Sequence, residues 1–271
     1  MKRILVPTDL SELANRALSV AAHLARQYGA EITLAHYLPF AIVDPVLTEA
    51  PGAIAAYLDD REHEVEAQLA AICQRPDFTD VTIRPLVKRS EQGLFGMLAD
   101  QPADLIVMAS HGSSGLEEWL FGSNAEHVMQ QAHCPVLIIK EQAGSFDPKN
   151  PVCAIDTDDV LKSHPAWPFH LGDGVRQFVY VMTPTDSRVT DGIRQWMADF
   201  AAARQITDYE LTIFADSNVP DGIIHFAESR GADLILLFTH QKSGFWHLVS
   251  GSVAEDVINH ATIPVLVMPV A

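Results

Sequence analysis

Between Ala103 and Lys140 the chain reads ADLIVMASHGSSGLEEWLFGSNAEHVMQQAHCPVLIIK, and its chemistry sits in the glycines and serines. Gly112, Gly115 and Gly122 carry no Cβ, so the main chain there can approach a ligand closely. Gly122-Ser123 stands at the start of a helical pattern, where free backbone N–H groups attract anions. Ser123 followed three residues later by Glu126 is a capping box, so the helix is expected to begin there. Bare amides, a hydroxyl and a helix start suit a phosphate group. The plainer alternative is that the glycines only turn the chain and Ser123 only caps.

Strands and helices must position these groups. Leu105 to Met108 is a continuous apolar run, the pattern of a strand buried on both faces, and Val136 to Ile139 is another, just after Pro135. Shifted by 129 residues, Ala232 to Pro269 falls on the same stretch without a gap: Ala-Asp-Leu-Ile, the strand-end His, the loop Gly, Gly-Ser-x-Ala-Glu-x-Val and Pro-Val-Leu all coincide. Register held over 38 residues indicates two copies of one supersecondary unit. Upstream, the pattern predicts a strand over Ile4–Val6 and a helix over Glu12–Tyr28, opened by Ser11 and stopped by Gly29. A strand over Ile32–Tyr37, an irregular proline-rich connection, a helix over Ala53–Gln74, a strand over Val81–Val87 and a short helix over Glu91–Gln101 follow. The inner face of the second helix is read as Ile54, Leu58, Val65, Leu69 and Ile72.

Glu141 to Pro151 reads as a linker. The second copy opens at Val152–Asp156, with Asp156 in the place of Asp9. Pro165 and Pro168 forbid a long first helix there, so it must be shortened or remodelled. Further strands are expected over Gln177–Met182 and Tyr209–Phe214, and helices over Asp191–Gln205 and Asp221–Arg230. Strand alternating with helix is the α/β pattern with a parallel sheet.

Ile4-Leu5-Val6-Pro7-Thr8-Asp9, Ala103-Asp104-Leu105-Ile106-Val107-Met108, and Gly112 followed by nine residues and Gly122-Ser123 resemble the universal stress protein family, in both halves of the chain. The resemblance implies two tandem doubly wound α/β domains, Rossmann-like and adenine nucleotide alpha hydrolase-like, each a five-stranded parallel sheet, over 1–141 and 150–271. It implies an ATP or AMP site in the first domain, with Mg2+ as an accompanying ion. Asp9 would meet the ribose with Pro7 and Thr8 alongside, and Tyr37 and Met108 would flank the adenine. Ala109, Gly112, Gly122, Ser123 and Asn124 would cradle the phosphates. Ala109 departs from the family's pattern, standing where its signature has a first glycine. In the second copy Phe238 and Gln241 take the two glycine positions, so that copy is expected not to bind nucleotide. Phe238, Phe245 and Trp246 are expected to pack instead, most simply against the other domain. The family's fifth strands pair across a dimer interface. Here Val136–Ile139 and Val265–Met268 would pair within one chain as a pseudo-dimer, and a homodimer of tandem chains stays open.

Net charge is −17, from 35 acidic against 18 basic residues, a surface that repels nucleic acid and anionic membrane alike. Three scattered cysteines make neither a disulfide framework nor a metal motif. Met1-Lys2-Arg3 runs straight into a strand without a signal peptide pattern, which makes a cytoplasmic protein the expectation. No catalytic constellation stands out. His111 recurs as His240 in the copy with the altered loop, which favours a structural role. The leading function is nucleotide binding that regulates assembly or partner contacts in a stress response. An interaction scaffold without nucleotide and a slow ATPase are the alternatives.

Overall fold

The computed structural model describes residues 1–39, 51–90, 101–110, 132–141, 146–163, 167–240 and 253–270. Its contacts divide the chain into two units, Met1–Met108 and Ala109–Ala271.

In the first unit, strand β1 (Arg3–Pro7) leads to helix α1 (Glu12–Tyr28), then β2 (Glu31–Pro39), α2 (Pro51–Cys73), β3 (Ile83–Ser90) and the start of β4 (Leu105–Ser110). The strand order is β3-β2-β1-β4, and the pairs are parallel. Helix α1 begins and ends where its cap residues demand. The Ser11 hydroxyl accepts the Ala14 N–H at 3.1 Å, and Gly29 closes the helix at φ 64°, a left-handed conformation costly to a residue with a Cβ. Leu13, Ala17, Val20 and Leu24 form its buried face, as the spacing predicts. Helix α2 buries Val65 and Leu69, while Leu58 and Ile72 are half-covered. The helix expected over Glu91–Gln101 falls on 91–100, outside the described residues, as does the helix expected after Ser123.

The second unit holds β5 (Val136–Lys140), β6 (Pro151–Ala154), β7 (Arg176–Met182), α3 (Thr190–Ala203), β8 (Tyr209–Ala215), α4 (Val219–Ser229), β9 (Leu234–His240), α5 (Val253–His260) and β10 (Val265–Val270). Its order is β5-β10-β9-β6-β7-β8. Every described pair is parallel except β5 with β10, which is antiparallel. Leu137 and Leu266 occupy the same repeat position and partner each other directly, flanked by Val265 with Ile138 and Val267 with Val136. The fifth strands therefore meet as an isologous pair.

Lys140 ends β5 and is 3% exposed. Its Nζ donates to the Ser110 Oγ at 3.4 Å and to the Ile258 carbonyl in the last turn of α5. Helix ends leave carbonyls without intrahelical partners, so a cation there is favourably placed. The position equivalent to Lys140 in the second copy is Pro269, so this tie exists on one side of the strand pair alone.

Between β6 and β7 the first helix of the second copy is reduced, among the described residues, to a 3-10 turn over Asp159–Ser163, as the two prolines require. Helix α3 buries Ile193, Trp196, Met197 and Phe200, with Trp196 stacked on Phe200 at 5.2 Å. Helix α4 starts ahead of the expected Asp221. Asn218 caps it by accepting the Asp221 N–H at 2.9 Å, and Pro220 sits in the first turn, where a missing N–H costs nothing. The linker is partly packed: Phe146 is buried edge-on against Phe169 at 5.6 Å.

The aspartate of each Ala-Asp-Leu-Ile motif ties down the start of the first strand of its repeat. The Asp104 Oδ2 accepts the N–H groups of Lys2 at 2.6 Å and Arg3 at 3.0 Å. Asp233 accepts those of Lys149 at 2.6 Å and Asn150 at 3.0 Å. Burial works against the Asp104 charge, but the two amides outweigh it and hold its pKa below the ordinary value. Asp233→Ala is expected to cost about 1–3 kcal/mol, the range for losing charge-assisted bonds to amides. A lowered midpoint with unchanged slope in urea unfolding checks this.

Candidate functional site

Strand order in the first unit reverses between β1 and β4, and ligands of doubly wound sheets bind beyond the strand ends at such a point. Pro7 closes β1 in register with Ala35. Leu5 pairs with Ile106, so Met108, two residues further along β4, stands level with Pro7. Tyr37 is two residues beyond Ala35 on β2 and is half-buried. Thus the chain brings Pro7, Thr8, Asp9, Tyr37 and Met108 to one end of the sheet. Ala109 follows Met108 in β4, half-buried, and is not among the residues with positive φ, so its methyl group costs nothing conformationally. Gly112, Gly122, Ser123 and Asn124 lie outside the described residues.

The turn after β1 is hydrogen-bonded throughout. The Thr8 N–H donates to the Ala35 carbonyl at 2.9 Å, and the Thr8 Oγ1 accepts the Leu10 N–H at 3.0 Å. The Asp9 Oδ1 accepts the Ser11 N–H at 2.9 Å, which leaves Oδ2 without a protein donor among the described residues. Leu10 between them is left-handed at φ 70°.

His36 belongs to this site and was not singled out from the sequence. Its Nδ1–H donates to the Thr8 carbonyl at 2.8 Å. Burial pushes its pKa down, against the pull of the Thr8 carbonyl and Asp9, which favours the neutral ring with Nε2 as an acceptor. Its place beside Tyr37 gave no signal in the sequence, since alternation turns strand neighbours to opposite faces.

The second unit repeats the turn. The Ile155 N–H donates to the Val179 carbonyl at 3.0 Å, the Asp156 Oδ1 accepts the Asp158 N–H at 3.0 Å, and Thr157 is left-handed at φ 67°. Here a cavity of about 440 Å³ opens at the ends of β6 and β7, lined among others by Asp156, Tyr180, Val181, Thr183, Asp186 and Arg188. Tyr180 takes the repeat position of His36, and Val181 that of Tyr37. The Tyr180 hydroxyl donates to Asp186 Oδ2 and accepts from Arg188 Nη1 at 2.6 Å. That hydroxyl holds the Asp186 carboxyl below its ordinary range.

Phe238 lies 6.0 Å from Trp167, ring centre to ring centre, with the planes at 39°. It therefore packs within its own repeat, because the remodelled segment after β6 brings a tryptophan onto the sheet. Phe245 and Trp246 lie outside the described residues. Among the described residues no helix is long and apolar enough to cross a membrane, and no group of three or more His, Cys, Asp or Glu is placed to hold a metal.

Comparison with known proteins agrees with this architecture. A universal stress protein of Methanocaldococcus jannaschii is 29% identical over 143 residues, covering 52% of this chain and 82% of that protein, so it corresponds to one repeat. A universal stress protein of Mycolicibacterium smegmatis is 24% identical over 289 residues, covering 98% of this chain and 96% of that one, so it corresponds to both. The crystal structure of a universal stress protein from Archaeoglobus fulgidus shares the fold, with a TM-score of 0.70 at 19% identity over 99% of this chain and 96% of that one. The family model described as the universal stress protein family matches residues 1–140 and 181–269. With both repeats matched and the same strand-end turn built twice, the chain belongs to the universal stress protein family, as a tandem member.

Proposed function

We propose that the chain binds ATP or AMP in its first domain, 1–141, and that binding regulates assembly or partner contacts in a stress response. The observation that carries the reading is the convergence of Pro7-Thr8-Asp9, Tyr37 and Met108-Ala109 at the strand-order reversal, followed in sequence by the Gly112 to Gly122-Ser123 spacing. The Asp9 Oδ2, without a protein donor among the described residues, would accept from a ribose hydroxyl. Gly112, Gly122, Ser123 and Asn124 supply amides and a hydroxyl to the phosphates, with Mg2+ offsetting charge in a protein of net −17. The second domain, 150–271, does not take the nucleotide, because Phe238 offers no donor at the phosphate position and its ring lies against Trp167. The protein works in the cytoplasm, and a homodimer of tandem chains is one assembly that the nucleotide could bias.

The test is direct. Protein denatured after purification should release adenine nucleotide, or titration with ATP and magnesium should give a saturable heat of one site per chain. Gly122→Asp places a carboxylate and a side chain at the phosphates and is expected to weaken binding roughly a hundredfold or more. No released nucleotide and no heat at millimolar ATP would leave the scaffold reading standing, and two nucleotides per chain would refute the silence of the second domain. Turnover of ATP lost in His111→Ala would establish the ATPase.

A further inference from the structure

The cavity beside Asp156 carries two opposite charges with unspent hydrogen-bonding capacity. Asp156 is fixed by the Asp158 N–H on Oδ1, while Oδ2 has no protein donor among the described residues. Arg188 is fixed by the Tyr180 hydroxyl on Nη1 and by its own N–H, which donates to Asp186 Oδ1 at 2.9 Å. Its Nε and Nη2 donate to no described acceptor, and its guanidinium lies over the Tyr180 ring at 5.8 Å. Tyr180 is 2% exposed, so the arginine stands on a rigid base. Asp186 is spent on the Tyr180 hydroxyl and the Arg188 N–H, with its Oδ2 a further 3.8 Å from the guanidinium. Arg188 therefore keeps the Nε and Nη2 donors beyond its ion pair with Asp186, and Asp156 keeps one unused oxygen. They line the same space of about 440 Å³ without forming an ion pair with each other, although Asp156 is close enough to help keep Arg188 charged.

We infer that this cavity is a binding site for a small zwitterion of the free α-amino acid class, with its carboxylate on Arg188 and its ammonium on Asp156. The planar guanidinium fork matches a carboxylate, and the unpaired Asp156 oxygen accepts from an ammonium. Thr183 and Thr185 add hydroxyls, while Ile155, Val181 and Val219 give apolar wall for a side chain. A ligand with a single charge engages only one end and forgoes the second ion pair, which is how such a site discriminates. A polyphosphate is disfavoured by the two carboxylates, Asp156 and Asp186, that line the cavity. The site lies in the second domain and stands independently of nucleotide binding in the first.

The experiment uses the full chain. The twenty proteinogenic amino acids at millimolar concentration are screened by thermal shift, and the best is titrated calorimetrically beside its N-acetyl and methyl ester forms. At least one amino acid should raise the melting temperature, and each blocked form should bind roughly tenfold or more weakly. Arg188→Gln and Asp156→Asn should each lose a similar factor. Arg188→Gln gives up the bond to Tyr180 and could loosen the cavity. Asp156→Asn still accepts the Asp158 N–H and so isolates the charge. Gly122→Asp should leave amino acid binding intact, which separates this site from the nucleotide reading. Failure of every amino acid to shift the wild-type protein, equal binding of the blocked forms, or unchanged binding in Asp156→Asn overturns the assignment. So does AMP displacing the amino acid competitively.

Discussion

Alanine at position 222 is expected to destabilise the protein by about 1–3 kcal/mol, the usual range for forcing a methyl group into a packed interior. The sign runs against helix propensity, since glycine to alanine inside a helix ordinarily gains about 1 kcal/mol. Gly222 lies in the first turns of α4 and is buried against β7. A Cβ built there would stand 2.5 Å from Val181 Cγ1, 3.0 Å from Val181 Cγ2 and 3.0 Å from the Asp216 Cβ. Neither neighbour gives way cheaply. Valine is stiff at χ1 in a strand, and Asp216 is held by the Ser217 N–H at 2.6 Å and by His225 at 2.8 Å. The helix must move off the strand instead. Urea unfolding should show a lower midpoint at unchanged slope, and a stabilised Gly222→Ala would mean that the approach of α4 to β7 is looser than described. Since Val181 also lines the cavity beside Asp156, the same variant should weaken any ligand held there.

Raising the pH from about 8 to 10.5 is expected to stabilise the wild-type protein, relative to Lys140→Met, by up to about 3 kcal/mol. Burial pushes the Lys140 ammonium down to about 8 from 10.5. Below both values the folded and unfolded chains carry the same proton, and the folded one bears the cost of a charge removed from water. Between them the folded chain has released its proton while the unfolded chain still holds it, so stability rises with pH and levels off above 10.5. Taking the difference from Lys140→Met cancels the tyrosines and the remaining lysines. Denaturant midpoints of both proteins across that range check the result. Parallel curves would show that Lys140 is solvated in the folded state.

Much of the scaffold could be read without coordinates because its signals are local. Ser11 and Gly29 bound α1 through their own backbone needs, and the apolar runs at Leu105 and Val136 could only be buried strands. The expected start at Asp221 fell after Asn218 and Pro220, although an asparagine cap and a proline in the first turn are both compatible with a helix start. Phe238 was legible as a residue unfit for phosphate, but not its partner, because Trp167 reaches it through a segment with no regular pattern. At the candidate site of the first repeat, the strand-end positions of Pro7, Tyr37 and Met108 followed from motif and period. His36 did not, since a lone histidine beside a tyrosine carries no signal until the Thr8 carbonyl is seen to face it.

By itself the sequence determined the duplication, the alternation of strands and helices, and the residues at the strand ends, since these rest on periodicity, caps and a fixed offset of 129. Only the tertiary structure decided what distant segments do to one another. It set Leu137 opposite Leu266 in an antiparallel register, placed Lys140 against the last turn of α5, and opened a cavity lined by both Asp156 and Arg188. The physical reason is range. Backbone preferences act over a few residues and leave a mark in composition. A cavity depends on side chains from several strands and turns, whose positions no local preference encodes.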